Sequence, residues 1–337
     1  MPLPPLATTT VGSFPRPLWL AERQRTEVRF RLEGEALREG LDDATLVVLH
    51  EQERLGLDLL TDGEQRRPHF IEYVLAGLEG FDLTDRRPKA IRRRKSGALE
   101  VPRVVGPVRW HRPLLVEDLR FARQHTARPL KMALPGPLTV VDSTYDEAYG
   151  DEAALARDVA AALNQELLAL QAAGCDVLQL DEPAMTRYHE KVAAYGAEAL
   201  DRCLEGVTVP TVVHLCYGYP GTGTLQHEYE YPALLALLRQ TRIAGFSLEF
   251  ARSGYDPALL RACADRIVML GCVDPSPGPP EPVEAVVERA RAALAHVAPE
   301  RLWLAPDCGL MMASREEALA KVRTLVAAAA ALRATLA

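Results

Sequence analysis

Short apolar runs alternate with longer stretches of helical periodicity from one end of this chain to the other, and that alternation constrains the fold most. The runs are Thr8–Ser13, Leu57–Thr61, Leu130–Leu134, Asp176–Leu180, Val209–His214, Gly245–Glu249, Arg266–Leu270 and Leu302–Ala305. Each has strand length, and they read as apolar on both faces, as parallel strands covered by helices are. Within Glu35–Leu55, Leu37, Leu41, Leu46, Leu49 and Leu55 recur at near-helical spacing. Further helices are expected over Glu152–Ala173, Glu190–Leu204, Tyr231–Gln240, Glu281–His296 and Ser314–Leu336. Gly174 supplies a left-handed stop, and Ser314 an N-cap with Glu316 and Glu317 in the first turn. Eight strands separated by helices predict an α/β fold, a single (β/α)8 TIM barrel over residues 1–337.

The rival is an open doubly wound sheet, which calls for a glycine-rich phosphate loop after an early strand. Gly12-Ser13-Phe14 does not supply one. The 82–113 segment breaks the rhythm: residues alternate in character and a basic cluster runs through Arg86, Arg87, Lys89, Arg92, Arg93, Arg94 and Lys95. It reads as a β-hairpin insertion turning near Ser96-Gly97. Its charges suit a solvated, protected edge, or a docking surface for an acidic partner or an anionic cosubstrate tail.

With 337 residues, 48% of them hydrophobic, the chain has ample apolar material for such a core. A formal charge of -7 gives no general attraction to nucleic acid or anionic lipid. No run approaches the ~20 apolar residues of a membrane span. The start, Met1-Pro2-Leu3-Pro4-Pro5, lacks the basic and apolar regions of a secretion signal, so a cytoplasmic location is expected. Six scattered cysteines, Cys175, Cys203, Cys216, Cys263, Cys272 and Cys308, are no disulfide framework; they are expected to be reduced.

In a parallel barrel the chemistry gathers at the C-terminal ends of the strands. Ser13, Glu64, Asp181, His214, Cys216, Glu249, Asp274 and Cys308 fall there. Four of them suit zinc. His214 and Cys216 are two positions apart at one strand end and share a face. Glu249 ends the next strand, and Cys308 lies just past the last, which in a closed barrel neighbours the first. Two thiolates, an imidazole and a carboxylate make a tetrahedral Zn2+ set. A lone buried His or Cys is more often packing than ligand; the coincidence of four at strand ends argues otherwise. Cys175, Cys203, Cys263 and Cys272 read as packing cysteines.

Six motifs, in order, resemble the cobalamin-independent methionine synthase family, in its C-terminal catalytic barrel. They are Thr8-Thr9-Thr10-Val11-Gly12-Ser13-Phe14-Pro15; Gly63-Glu64; Leu178-Gln179-Leu180-Asp181-Glu182-Pro183-Ala184; His214-Leu215-Cys216-Tyr217; Ser247-Leu248-Glu249 with Arg252-Ser253; and Pro306-Asp307-Cys308-Gly309-Leu310. The likeness runs from near residue 8 to near 325, and implies a short, single-barrel form without the N-terminal barrel of long members. It implies that His214, Cys216, Glu249 and Cys308 bind zinc and activate the thiol of homocysteine. It also implies that Glu64 and Asp181 hold the substrate's amino group, and that the backbone around Val11 and Ser13, with the Ser13 hydroxyl, holds its carboxylate. A free thiol, with a pKa near ~8.5, is mostly protonated at neutral pH. Zinc coordination ionises it, so a ligand position must open, and Glu249 is the natural ligand to loosen. Plainer roles exist for the acids: Glu64 paired with Arg66 or Arg67, and Asp181 or Glu182 capping a helix after Pro183.

Three departures from the family concern the methyl donor. A folate-stacking Trp is replaced by the stretch Val141-Asp142-Ser143-Thr144, a pterin-binding Glu by Arg187, and a His that is a candidate proton donor by Ser276. Methyltetrahydrofolate is thereby disfavoured, and methylcobalamin or a methylated corrinoid protein becomes the leading donor, with the basic hairpin Arg86–Lys95 as its dock. Tyr217-Gly218-Tyr219-Pro220-Gly221-Thr222-Gly223 suits a lid over a zinc thiolate, or an ordinary loop. A zinc alkyltransferase acting on another thiol, of the coenzyme M type, is the nearest alternative, but the Glu64/Asp181 pair would repel a sulfonate. A non-catalytic barrel with structural zinc is the alternative of another class.

Overall fold

The computed structural model describes residues 3–22, 28–92, 97–218 and 230–336. The strands are β1 (Leu60–Thr61), β2 (Leu78–Ala90), β3 (Ala98–Trp110), β4 (Leu130–Pro135), β5 (Tyr145–Asp146), β6 (Val177–Asp181), β7 (Thr211–Leu215), β8 (Gly245–Glu249), β9 (Ile267–Val273) and β10 (Leu302–Pro306). The α-helices are α1 (Gly34–Leu55), α2 (Glu72–Leu75), α3 (Leu115–His125), α4 (Pro137–Asp142), α5 (Glu152–Ala172), α6 (His189–Lys191), α7 (Ala197–Cys203), α8 (Glu230–Leu238), α9 (Val283–Leu294) and α10 (Arg315–Arg333).

Seven strands form one sheet in the order β1-β4-β6-β7-β8-β9-β10. The registered pairs in it are parallel, and β4, β7, β8 and β10 are buried at every position. This is the α/β, (β/α)8-type arrangement that the continuous apolar runs predict. The first expected strand, Thr8–Ser13, is reduced to single bridges: Thr8 opposite Leu304 and Thr9 opposite Leu59, both parallel. Its place between β10 and β1 is nevertheless kept, because Thr9 N–H donates to the Leu304 carbonyl and Leu59 N–H to that of Thr8.

One compact unit comprises Met1–His69, Asp118–Met132 and Gly245–Ala337; the other comprises Phe70–Glu117 and Ala133–Ala244. In the first, Ser314 caps α10: its hydroxyl accepts from Glu317 N–H while Glu317 reaches back to Ser314 N–H. That capping box satisfies two helix-end donors at once. In the second, β2 and β3 form the antiparallel hairpin expected for the 82–113 segment, but it begins earlier, at Leu78. Ser96 of the expected turn lies outside the described residues. The hairpin also gains a third strand, β5, too short to stand out in sequence.

Some expectations needed correction. Glu190–Leu204 is not one α-helix: a π segment over Val192–Gly196 separates α6 from α7. Helix α3 is not among the expected elements, although Leu115, Val116, Leu119 and Ala122 recur at helical spacing and are buried; α4, six residues long, is too short to show a period, and it begins at Pro137 directly after Gly136, a first-turn position that proline tolerates. Glu166, on α5, explains how the hairpin's exit is held. Its buried carboxylate accepts from Trp110 Nε1 at 2.7 Å, Leu114 N at 3.1 Å and Leu115 N at 2.9 Å.

Removing that acceptor strands three donors in a buried place. Glu166→Ala should therefore cost about 2–4 kcal/mol in urea unfolding. A loss below about 1 kcal/mol would show that water serves those donors equally well.

Candidate metal and substrate site

His214 lies in β7, Cys216 directly follows it, Glu249 closes β8, and Cys308 stands two residues past β10. All four side chains are buried. Each offers one ligand atom, and the four atoms lie within 4.8 Å of one another. Around a tetrahedral zinc with Zn–S of about 2.3 Å, two thiolates sit about 3.8 Å apart, so a small contraction suits this donor set to the ion. Gly218 N–H donates to Cys216 Sγ at 3.1 Å. The other cysteines behave as packing groups. Burial pushes the Cys272 thiol up to about 12 and that of Cys203 well above its ordinary value.

Glu64 stands apart from its neighbours. It has φ +54°, in the left-handed region, directly after Gly63 at φ +62°. A non-glycine residue held there signals strain that the surroundings impose. Neither basic neighbour is spent on it by an ion pair: Arg66 pairs with Asp42 and Asp118, and Arg67 with Asp62. Burial raises the Glu64 carboxyl above its usual range, while Arg67 pulls it down. Arg16 holds the backbone here, donating to the carbonyls of Glu64, Gln65 and Arg67. Ser13 is buried, its carbonyl accepting from Leu310 N–H at 2.8 Å. The Val11 carbonyl accepts from Lys131 Nζ at 3.0 Å, and that of Thr10 from the same amine at 2.7 Å. Lys131 is fully buried. Sequence reasoning missed it because a lone lysine in an apolar strand looks like an edge charge.

Asp181 ends β6 and accepts from Gln179 Nε2 at 2.7 Å. Its neighbour Glu182 points elsewhere. Glu182 accepts from Leu138 N, Thr139 N and the Thr139 hydroxyl at 2.7–3.0 Å. It therefore serves the start of α4 rather than a helix after Pro183. Burial pushes its carboxyl up to about 8 against those donors. Gly136 makes room: a Cβ there would lie 2.2 Å from Glu182 Oε1.

Asp142, in the stretch 141–144 that lacks the family's Trp, and Arg187, at or near the position of its pterin-binding Glu, are paired with each other at 2.8 Å. Asp142 is buried, and only 16% of the Arg187 side chain is exposed. At the third such position, the Ser276 hydroxyl donates to Asp274 at 2.6 Å. Asp274 thus organises its own turn.

The basic hairpin residues are engaged within the chain. Arg86 meets Glu72 at 2.6 Å, Arg87 meets Asp85 and Glu147, and Arg92 meets Glu190 at 2.5 Å. Lys89 donates to the carbonyls of Val141 and Thr144. These four favour the protected edge over the dock; Arg93, Arg94 and Lys95 lie outside the described residues. Tyr217 of the suggested lid is buried against Tyr231, with ring centroids 5.0 Å apart. Residues 219–223 lie outside the described set. Among the described residues, no helix is long and apolar enough to cross a membrane.

Comparison with known proteins agrees with the motifs. The family described as "Cobalamin-independent synthase, Catalytic domain" matches residues 6–331. A methionine synthase of Sulfurisphaera tokodaii is 33% identical over 325 residues, 96% of this chain and 91% of that protein. One from Saccharolobus solfataricus is 31% identical over 327 residues, 96% of this chain and 94% of that one. Among solved structures, a B12-independent methionine synthase from Shewanella sp. W3-18-1, in complex with selenomethionine, superposes with TM-score 0.93 at 36% identity, covering 99% of both chains. A putative B12-independent methionine synthase from Listeria monocytogenes shares the fold at TM-score 0.76, with 22% identity over 98% of this chain and 99% of that one.

The strain at Glu64 gives a test of opposite signs. Asn tolerates left-handed backbone and carries no charge to bury, so Glu64→Asn should raise stability by about 1 kcal/mol in urea unfolding. It should also weaken binding of a cationic amine. A variant that is both less stable and unimpaired would show that the residue is structural.

Proposed function

The chain belongs to the cobalamin-independent methionine synthase family and is a methyltransferase of it, and from that premise we propose that it methylates the thiol of homocysteine, giving methionine, with Zn2+ held by His214, Cys216, Glu249 and Cys308. The observation that carries this reading is the approach of those four donor atoms to within 4.8 Å of one another. Zinc bound there would supply a thiolate at neutral pH, where a free thiol with a pKa near ~8.5 is mostly protonated. The chain's own residues do the rest. Glu64 and Asp181 take the substrate's ammonium, and Glu64, buried and free of an ion pair among the described residues, gains a counter-charge when it arrives. The Val11 and Ser13 backbone, with the Ser13 hydroxyl, takes the carboxylate. The methyl group passes from donor to sulfur as the thiol proton leaves. The Shewanella relative's complex with selenomethionine, a close analogue of the product, supports the substrate assignment.

The donor is read as methylcobalamin or a methylated corrinoid protein rather than methyltetrahydrofolate. The stretch Val141-Asp142-Ser143-Thr144 matches the family's stacking Trp, and Arg187 falls at or near the pterin-binding acid; Asp142 of that stretch and Arg187 are bound to each other. Two pocket carboxylates favour an ammonium-bearing thiol over a sulfonate such as coenzyme M. We take residues 1–337 to act as one catalytic domain, in the cytoplasm, with no nucleic-acid or membrane partner.

Purified protein should carry one zinc per chain. Cys308→Ser should lower homocysteine methylation by more than about 100-fold, with circular dichroism unchanged. X-ray absorption of the zinc should show one more sulfur neighbour when homocysteine is added. Mild chelation should abolish thiol binding and leave the fold intact; unfolding instead would make the metal structural. Offered side by side, methylcobalamin should support turnover and methyltetrahydrofolate should not. Turnover with the folate alone would overturn the donor assignment.

A further inference from the structure

Glu249 and Cys308 belong to strands that are not neighbours. β9 lies between β8 and β10 in the sheet. At about 4.8 Å per strand, the two backbones stand about 10 Å apart, yet the ligand atoms of Glu249 and Cys308 come within 4.8 Å. The middle strand is narrowest where this happens. Gly271 of β9 is registered with Glu249 on one side and Ala305 on the other.

The space above Gly271 is filled by Asp307, the residue before Cys308. A Cβ on Gly271 would meet Asp307 Oδ1 at 2.4 Å and the Leu248 carbonyl at 2.9 Å. From that seat the Asp307 carboxylate reaches the residues directly after Glu249. Oδ1 accepts from Phe250 N at 3.0 Å and Ala251 N at 2.8 Å, and Oδ2 accepts from Arg252 N at 2.9 Å. The main chain anchors both ends: Phe250 N–H also donates to the Gly271 carbonyl, and Asp307 N–H to that of Val273. Asp307 is 1% exposed.

We propose that Asp307 is a positioning residue: crossing over Gly271, its carboxylate ties the residues after Glu249 to the residue before Cys308 and sets the separation of those two donors before any metal arrives. The inference rests on the reading of Glu249 and Cys308 as ligands. Three N–H groups converge on it, so an acceptor-only group is needed; an amide would turn its own NH2 toward one of them. A side chain that merely filled space over Gly271 would not need three directed bonds, and a turn cap would not need the glycine.

Asp307→Ala, Asp307→Asn and Gly271→Ala, which displaces the carboxylate without removing it, are compared with wild type in the whole chain. Metal-free crystals of D307A and G271A should show the Glu249 oxygen and Cys308 sulfur further apart than 4.8 Å. Competition with a chelator should show Zn2+ affinity lowered about 10–100-fold, with D307N between wild type and D307A. The visible spectrum of the Co2+-loaded protein should shift, whereas Glu166→Gln, which weakens the hairpin exit alone, should leave it unchanged. Wild-type donor separation together with a wild-type cobalt spectrum in a folded D307A overturns the inference. Should D307A not fold, G271A and D307N decide it by the same readings. If the wild-type protein binds no metal, the zinc assignment falls, and the donor separation in the metal-free crystals still decides the role of Asp307.

Discussion

Backbone N–H groups at the ends of strands and helices have no partner in their own element and cannot be left dry. In this chain buried carboxylates answer that need repeatedly. Glu166 takes Trp110 Nε1 and the N–H groups of Leu114 and Leu115. Glu182 takes the first donors of α4. Asp307 takes three consecutive donors after β8. Each carboxylate gives up solvation, which costs free energy, and recovers it only where several donors converge with good geometry.

Two of these clasps also need glycine. Glu182 occupies the space a side chain on Gly136 would claim, and Asp307 does the same over Gly271. A glycine and a neighbouring acid therefore act as a unit, each without much purpose alone. Both acids sit beside residues of the candidate site, Glu182 next to Asp181 and Asp307 next to Cys308. Loop backbone beside a reacting group is poorly restrained by strand pairing, and directed bonds to a buried anion restrain it. That matters for a metal site, where donor positions must hold to a few tenths of an ångström.

Ion pairs between side chains differ in kind. Asp142 and Arg187 neutralise one another, as do Arg86 with Glu72 and Arg92 with Glu190 on the hairpin. The two hairpin pairs, on partly exposed side chains, contribute little to stability. Their consequence is for recognition, since a guanidinium already engaged with a carboxylate offers less to an incoming anion. A run of basic residues in a sequence says how much charge is present and nothing about how much is already answered.

Apolar runs and helical periods are local, so the sequence by itself determined the order of the parallel strands and of the longer helices, the bounds of β8, the cap of α10 at Ser314 and the place of the candidate metal ligands at strand ends. Motif order likewise carried the family. The left-handed backbone of Glu64, the burial of Lys131, the bond between Asp142 and Arg187 and the choice of α4 as the partner of Glu182 were decided only in three dimensions. So was the seat of Asp307 over Gly271. Each of these depends on groups 36 to 121 residues apart, or on strain imposed from outside the segment. Local propensity reports what a residue can do with its neighbours in the chain; what a buried charge does depends on which distant donors the fold brings to it.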